Sequence, residues 1–362
     1  MYLSNKSGLT LAIFFILIIS SLIKTHTTPA KEEFTFGAIL PITGPAANLA
    51  KAQEYGLALA EGKLLSQIPY LEVITADSQL DGIVGKQVAR RFMEQGVDVL
   101  YSSFTQVTRE VTEVSLENEI PLFYDSCNCG FAGTNPHAFQ LYVDPRRECA
   151  DVGKIYKERG VLKAAYIGPD VPYGKYCYEA LQNVFGTDNV IVEIEQEGIK
   201  KRHTSLLANL KGSGVGLMVS IPIAQGLTDI LRANESTYSD IPFSCFAGQC
   251  LTKSVREGVS QDALSSITAF DFQIADDFIT ALSAEHPNLS QEEITAAAIA
   301  HDSLIYAATG HLLCSKLTAS CIEGQSIKPV VTPAIMAKGF TTERILNYKS
   351  RYINSSFEEI TL

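Results

Sequence analysis

Apolar residues in this chain come in two alternating patterns: short, almost wholly apolar runs, and longer stretches in which they recur at helical spacing. From Phe34, FTFGAILP reads as a strand, TGP as a turn and NLAKAQEYGLALAEGKLL as a helix. YLEVITAD, VDVLYSS and IPLFYD are further strands, separated by the helices GIVGKQVARRFMEQG and QVTREVTEVSLENE. Repeated β-α units with buried apolar strands predict a parallel, doubly wound sheet. After the strand AFQLYV and Asp144-Pro145 the pattern restarts: RRECADVGKIYKERG, KAAYIGPD, YGKYCYEALQNVF, NVIVEIE, TSLLANLKG, VGLMVS, AQGLTDILRAN and IPFSCFAG alternate in the same way. Two α/β halves joined near 141–146 are therefore expected. Beyond Ser265 a strand, SSITAF, precedes mainly helical sequence, including the long Ala-rich SQEEITAAAIAHDSLIYAATGHLLCSKL.

The first thirty residues read differently. Lys6 precedes the 15-residue apolar run LTLAIFFILIISSLI, followed by KTHTTPA. This is a positive region, an apolar region and a polar exit, shorter than the roughly 20 residues that span a bilayer, so residues 1–30 are expected to be a secretory signal. Their removal takes away Lys6 and Lys24 and no acid, which deepens the formal charge from −11 to −13. An acidic chain without a Lys/Arg block excludes nucleic acid as a partner, because phosphate neutralisation needs clustered positive charge. At 362 residues the chain has length for about two domains. All eight cysteines lie beyond the signal. In an oxidising compartment they point to disulfides, and Cys127-x-Cys129, Cys245-x4-Cys250 and Cys314-x6-Cys321 are not zinc spacings.

No GxxxxGK[ST], HExxH or GxSxG motif is present, and Gly212–Gly216 precedes a strand instead of following one. Neither catalysis nor a metal or cofactor site is expected. The chemistry is expected at strand-to-helix junctions, because open α/β sheets bind ligands beyond the carboxyl ends of their strands, beside helix N-termini. Six junctions qualify: Thr43–Ala46, Ser103–Gln106, Asp125–Cys129, Pro169–Gly174, Ile221–Ala224 and Ala247–Gln249. Three come from each half, and halves that face each other would bring all six to one cleft. Taken singly, Thr105 also reads as an ordinary helix cap and Thr43-Gly44-Pro45 as an ordinary turn.

At these junctions the chain resembles the branched-chain amino-acid and amide type of periplasmic solute-binding proteins. FGAILPITGPAANLAKAQEYGLALA is similar to that family's opening strand, S/T-G-P turn and helix with a glycine one turn in, here Gly56. ADSQLDGIVGKQVARRFMEQGVDVLYSSFTQVT, ENEIPLFYDS and AAYIGPDVPYGKYCYEAL follow in the family's order, the last with its D-x-x-YG at Asp170, Tyr173 and Gly174. The resemblance covers about residues 34–320. It implies an α/β fold of two doubly wound parallel-sheet lobes forming a hinged clamshell, the periplasmic binding protein type I fold. Lobe one would hold 31–143 plus about 272–335 and lobe two 144–271, with 336–362 a C-terminal segment. Family members finish on strands that return to the sheets, whereas this chain stops at SSFEEITL, which suggests a truncated or lost segment.

The resemblance also implies which residues hold the ligand. Thr105, with Gln106, occupies the helix start that takes a ligand carboxylate in amino-acid binders. Cys127, Asn128 and Cys129 lie where the family has small residues and a Thr. Tyr173 remains as a wall and phenol, and the junctions themselves add Thr43 from the first turn and Ile223 and Gln249 from lobe two. No carboxylate stands near Ala247-Gly248-Gln249, where the family pairs the ligand ammonium, and Leu49 replaces an aromatic. A zwitterionic amino acid is thus not the automatic ligand; an amide, a urea-like compound or a carboxylate fits as well. Four disulfides are suggested: Cys127 to Cys129 or another cysteine, Cys245 with Cys250 around a pocket loop, Cys314 with Cys321, and Cys149 with Cys177. The expected protein is a monomeric, periplasmic solute-binding protein that closes on a small molecule and hands it to the permease of an ABC transporter. The alternative is a ligand-sensing ectodomain with the same fold.

Overall fold

The computed structural model describes residues 33–127, 130–142, 144–195, 203–221, 224–236, 241–245, 253–260, 267–313, 331–337 and 341–344. The signal segment, Asn128, Cys129, Ile223, Gln249, Cys250, Cys314 and Cys321 lie outside them. The first sheet is built from β1 (Phe34–Leu40), β2 (Leu71–Asp77), β3 (Val99–Ser103), β4 (Leu122–Asp125) and β5 (Ala138–Gln140) in the order β2-β1-β3-β4-β5, all parallel. Helices α1 (Ala47–Leu64), α2 (Gly82–Glu94) and α3 (Thr105–Asn118) form the crossovers, and a short α4 (Gly130–Thr134) follows β4. The strands are apolar on both faces because helices cover both. Phe36, Tyr101 and Phe123 enter the core beneath α1, while Ile39, Leu100 and Tyr124 enter the one beneath α2 and α3.

The second sheet has the order β12-β11-β10-β9-β8-β6-β7. Its strands are β6 (Ala164–Pro169), β7 (Val190–Glu195), β8 (Leu217–Ser220), β9 (Phe243–Cys245) and β10 (Ile267–Ile274), joined in parallel, with β11 (Val331–Ala337) and β12 (Thr341–Arg344) added antiparallel. Helices α5 (Pro145–Glu158), α6 (Pro172–Phe185), α7 (His203–Gly212), α8 (Ala224–Ser236) and α9 (Lys253–Gly258) accompany it. Asp144 caps α5 through the Arg146 amide at 2.9 Å, with Pro145 at the first helical position, so the break at Asp144-Pro145 starts the second half as its residue types dictate. This is the two-sheet α/β architecture expected from the sequence.

Two helices, α10 (Asp276–Glu285) and α11 (Gln291–Leu313), return to the first sheet. The Ala-rich face of α11 lies on α1 so closely that a Cβ on Gly56 would overlap the Ala297 carbonyl. A third face carries Ile299 into the apolar cluster of the second sheet, with Leu141, Tyr142 and Ile274 beside it. A helix buried on several sides has no single polar stripe, which is why its sequence is apolar all round.

Candidate functional site

The cleft-side residues stand at strand carboxyl ends. Gly44, with φ +91°, turns the chain after β1, and Thr43 closes that turn: its hydroxyl donates to Asp77 Oδ2 at 2.6 Å and its amide to Asp77 Oδ1 at 3.2 Å. Thr43 is exposed and its hydroxyl is committed to this contact. Burial works to raise the Asp77 pKa, but the hydrogen bonds from Thr43 and the Gln79 amide hold it below the ordinary aspartate value.

Thr105 is the first residue of α3 and is half-buried. The residue before it, Phe104, occupies the cap position with φ +67° and offers no side-chain cap to the first-turn amides of α3. Thr105 is thus not itself the helix cap. Gln106 is exposed, and its side-chain amide reaches the Leu80 carbonyl at 3.5 Å. The starts of α1 and α6 likewise carry no side-chain cap, whereas Asp81 caps α2 through the amides of Ile83 and Val84.

Behind this rim lies a polar network that periodicity alone does not reveal. Gln53, buried in α1, donates from Nε2 to Tyr101 Oη at 3.2 Å and to Asp125 Oδ2 at 3.1 Å; Ser103 donates to Gln53 Oε1 at 3.4 Å. Asp125 ends β4, half-buried, and its backbone carbonyl accepts the Phe104 amide at 3.0 Å. Burial pushes its carboxyl up to about 6 against the Gln53 hydrogen bond, which lowers it. Ser126 Oγ, only 4% exposed, has no hydrogen-bond partner among the described residues. A signal for this network does exist in the sequence. Gln53 is a polar residue on the apolar face that holds Ala50, Gly56 and Leu57, and Asp125 is a carboxylate closing an apolar strand.

Residues of the two halves meet here. Cys127, from the end of β4, and Tyr173, from the first turn of α6, both pack against the apolar cluster that holds Tyr142 and Ile299. Burial raises the Tyr173 phenol, and the Cys127 sulfur adds to the rise. Tyr142, on the crossover, is raised well above its ordinary value, first by burial and then by Cys127, Asp125, Glu148 and Glu292. The structure therefore brings Cys127 and Tyr173 near each other. It adds Tyr142 and Glu148, which the sequence does not single out, and Asp125, which the sequence places at a junction but gives no role.

The D-x-x-YG signature has a steric cause. A Cβ at Gly174 would overlap Tyr166 Oη and come within 2.8 Å of the Pro169 carbonyl, so only glycine lets α6 begin against the end of β6 with Tyr173 at its rim. Behind it, Cys149 of α5 and Cys177 of α6 form a disulfide with their Cα atoms 5.2 Å apart. Cys245 is also disulfide-bonded, to a partner outside the described residues. The expectation of a bridge at Cys127 is corrected: Cys127 is in no disulfide and keeps its thiol at the cleft. Its strand end is held by the Gln53–Asp125 network. Among the described residues no group of His, Cys, Asp and Glu could hold a metal ion, and no helix is long and apolar enough to cross a membrane.

Comparison with known proteins agrees with this architecture. The chain is similar in structure to the branched-chain amino-acid transporter substrate-binding protein LivJ from Streptococcus pneumoniae in complex with isoleucine, at 14% identity, covering 86% of this chain and 98% of that one with a TM-score of 0.66. A putative branched-chain amino-acid ABC transporter protein from Silicibacter pomeroyi matches at 13% identity, 90% and 98% coverage and a TM-score of 0.71. A solute-binding protein from R. palustris in complex with benzoate matches at 15% identity, 90% and 100% coverage and a TM-score of 0.65. No curated protein sequence matches the chain. These likenesses concern the type I periplasmic binding fold. A profile described as periplasmic binding protein matches residues 33–237, more than half of the chain, and the protein belongs to the periplasmic binding protein family.

Proposed function

We propose that this protein is a secreted, periplasmic solute-binding protein that captures one small polar molecule between its two lobes and delivers it to the permease of an ABC transporter. It acts as a monomer and performs no chemical step. The division is 31–143 plus about 272–335 for lobe one and 144–271 for lobe two, except that β11 pairs with β10 on the second sheet and goes with lobe two. The observation that carries the reading is the meeting of Cys127 and Tyr173, one from each half, at one apolar cluster. Donors from one lobe and an aromatic phenol from the other suit a ligand that is enclosed when the lobes close. The ligands named for structural neighbours, isoleucine and benzoate, are small and carry polar heads on apolar bodies.

Thermal-shift screening of the mature chain against amino acids, amides, ureas and carboxylates tests this. A binding compound raises the melting temperature, by mass action on the folded state. Thr105→Ala and Tyr173→Ala reduce that shift without lowering the melting temperature of the unliganded protein by a comparable amount. The absence of any shift across the panel rejects the reading.

A further inference from the structure

We infer that the molecule held in this cleft presents a protonated nitrogen to the Asp125 carboxylate, with its apolar body against the aromatic side chains of Phe104, Tyr142 and Tyr173. This rests on the solute-binding reading and names the charge class of its ligand.

Asp125 is a half-buried acid with a neutral partner. Its Oδ2 accepts from the Gln53 amide, and among the described residues Oδ1 accepts no hydrogen bond and no Lys, Arg or His forms an ion pair with it. Shielded carboxylates are costly unless a cation or several donors compensate them, and such groups recur at functional sites. Of the two arginines in the first turn of α5, Arg146 pairs with Asp144 at 3.0 Å and lies over the Tyr176 ring, and among the described residues neither it nor Arg147 forms an ion pair with Asp125. Asp125, Glu148 and the exposed Glu292 all act to raise the Tyr142 phenol, so the charges that reach it from these three residues are negative. A ligand whose head at this point was a carboxylate would meet that field as repulsion, whereas an ammonium or amidinium gains a charge-assisted hydrogen bond.

The aromatic residues fit the same ligand. Phe104 holds a positive φ that costs a bulky side chain energy, and it belongs to none of the buried apolar clusters of the described residues, so core packing does not account for it. Its amide is bonded to the Asp125 carbonyl, which places it beside the carboxylate's own backbone. Tyr142 and Tyr173 are half-buried, and the Cys127 sulfur acts on both phenols. Aromatic faces attract organic cations. Ser126 Oγ, buried and unpartnered among the described residues, is a further acceptor at the same strand end. The uncapped start of α3 can serve a second polar group of the same molecule, so the claim concerns the head at Asp125.

Three probes that share a phenyl body and differ only in the head, benzylamine, benzamide and benzoate, test it by isothermal titration and thermal shift on the mature chain. Benzylamine is expected to bind at least tenfold more tightly than the other two, and Asp125→Asn to weaken benzylamine at least tenfold while leaving benzamide unchanged. Benzylamine affinity of the wild type also falls as pH drops below about 6, where Asp125 takes up a proton. Of the groups facing it, Gln53 from α1, Tyr101 from β3 and Tyr142 from the crossover stay neutral there, while Glu148 and Glu292 also act on Tyr142, so the same pH series on Asp125→Asn separates their effect from that of Asp125. The comparison of the three probes on the wild type needs no variant, so a folding defect in Asp125→Asn does not protect the claim. Benzoate or benzamide binding as tightly as benzylamine overturns the inference and leaves solute binding standing. No binding by these probes or by any compound of the wider panel overturns both.

Discussion

The two faces of the cleft are built from different materials. On the first, the strand ends are positioned by hydrogen bonds among Gln53, Tyr101, Ser103 and Asp125, with Thr43 and Asp77 at the rim. On the second, the helix carrying Tyr173 is fixed by a disulfide to its neighbour and by the close seat of Gly174 on Tyr166. A hydrogen-bonded face can exchange protons and respond to a ligand's charge; a face fixed by a covalent bridge and close packing offers shape that pH does not alter. On the proposed reading, lobe one reads the polar head of the ligand and lobe two contributes a wall.

The sharpest way to break this contrast is to remove the bridge. Cys149→Ser with Cys177→Ser opens a loop with a sequence separation of 28 residues and is expected to cost about 3–4 kcal/mol in denaturant unfolding. The loss should fall on lobe two, read as earlier hydrogen exchange in α5 and α6 than in α1. A uniform loss across both lobes would show that the bridge does not serve one face. The packing counterpart in lobe one is Gly56→Ala. A new Cβ meets the Ala297 backbone, which cannot yield as a side chain would, and about 2–3 kcal/mol is expected from the same measurement.

Next in size is the effect of pH on the hydrogen-bonded face. The Asp125 carboxyl stands at about 6 in the folded chain against 3.8 as its ordinary value, so the folded state holds the proton more tightly than the unfolded one. Its contribution therefore favours folding at low pH, declines as pH rises from about 4 to about 6, and stays lost above that. Asp125→Asn removes this penalty and should stabilise the unliganded chain at pH 7 by about 1 kcal/mol, a figure reduced for its partial exposure. At pH 4 the gain should vanish. A variant less stable than wild type at pH 7 would place Asp125 among the structural residues.

What the sequence reveals follows from what periodicity can encode. The alternation of apolar runs and helical stretches is enough for both sheets and the crossover at Asp144-Pro145, because burial on two faces and an Asp-Pro helix start leave local marks. Thr105 and Tyr173 are legible for the same reason: each opens a helix after a strand. Asp125 and Gln53 are 72 residues apart and make sense only as a pair, once β4 is known to pass beneath α1. Tyr142, Glu148 and Glu292 converge through the crossover and the returning helix, a relation between distant segments that no local pattern carries. Cys127 is misleading for a related reason, since an even cysteine count in an exported chain says nothing about which thiol faces a cleft.

The smallest effect is expected at the rim, where the hydrogen-bonded face is exposed to water. Thr43→Val removes the hydroxyl donor to Asp77 but keeps the amide bond and the shape of the turn, so only about 0.5–1 kcal/mol should be lost at pH 7. Asp77 has a lowered pKa, the reverse of Asp125, so its contribution is present above its unfolded value of 3.8 and fades as pH falls through the folded one. The gap between Thr43→Val and wild type should therefore close below pH 4, in unfolding curves taken across that range. Two aspartates on one sheet would then shift stability in opposite directions with pH: the rim acid, bonded by its own loop, and the cleft acid, whose charge the fold leaves to the ligand. A gap that persists unchanged at pH 3 would mean that the Thr43 hydroxyl serves the turn directly and that Asp77 contributes no charge to it.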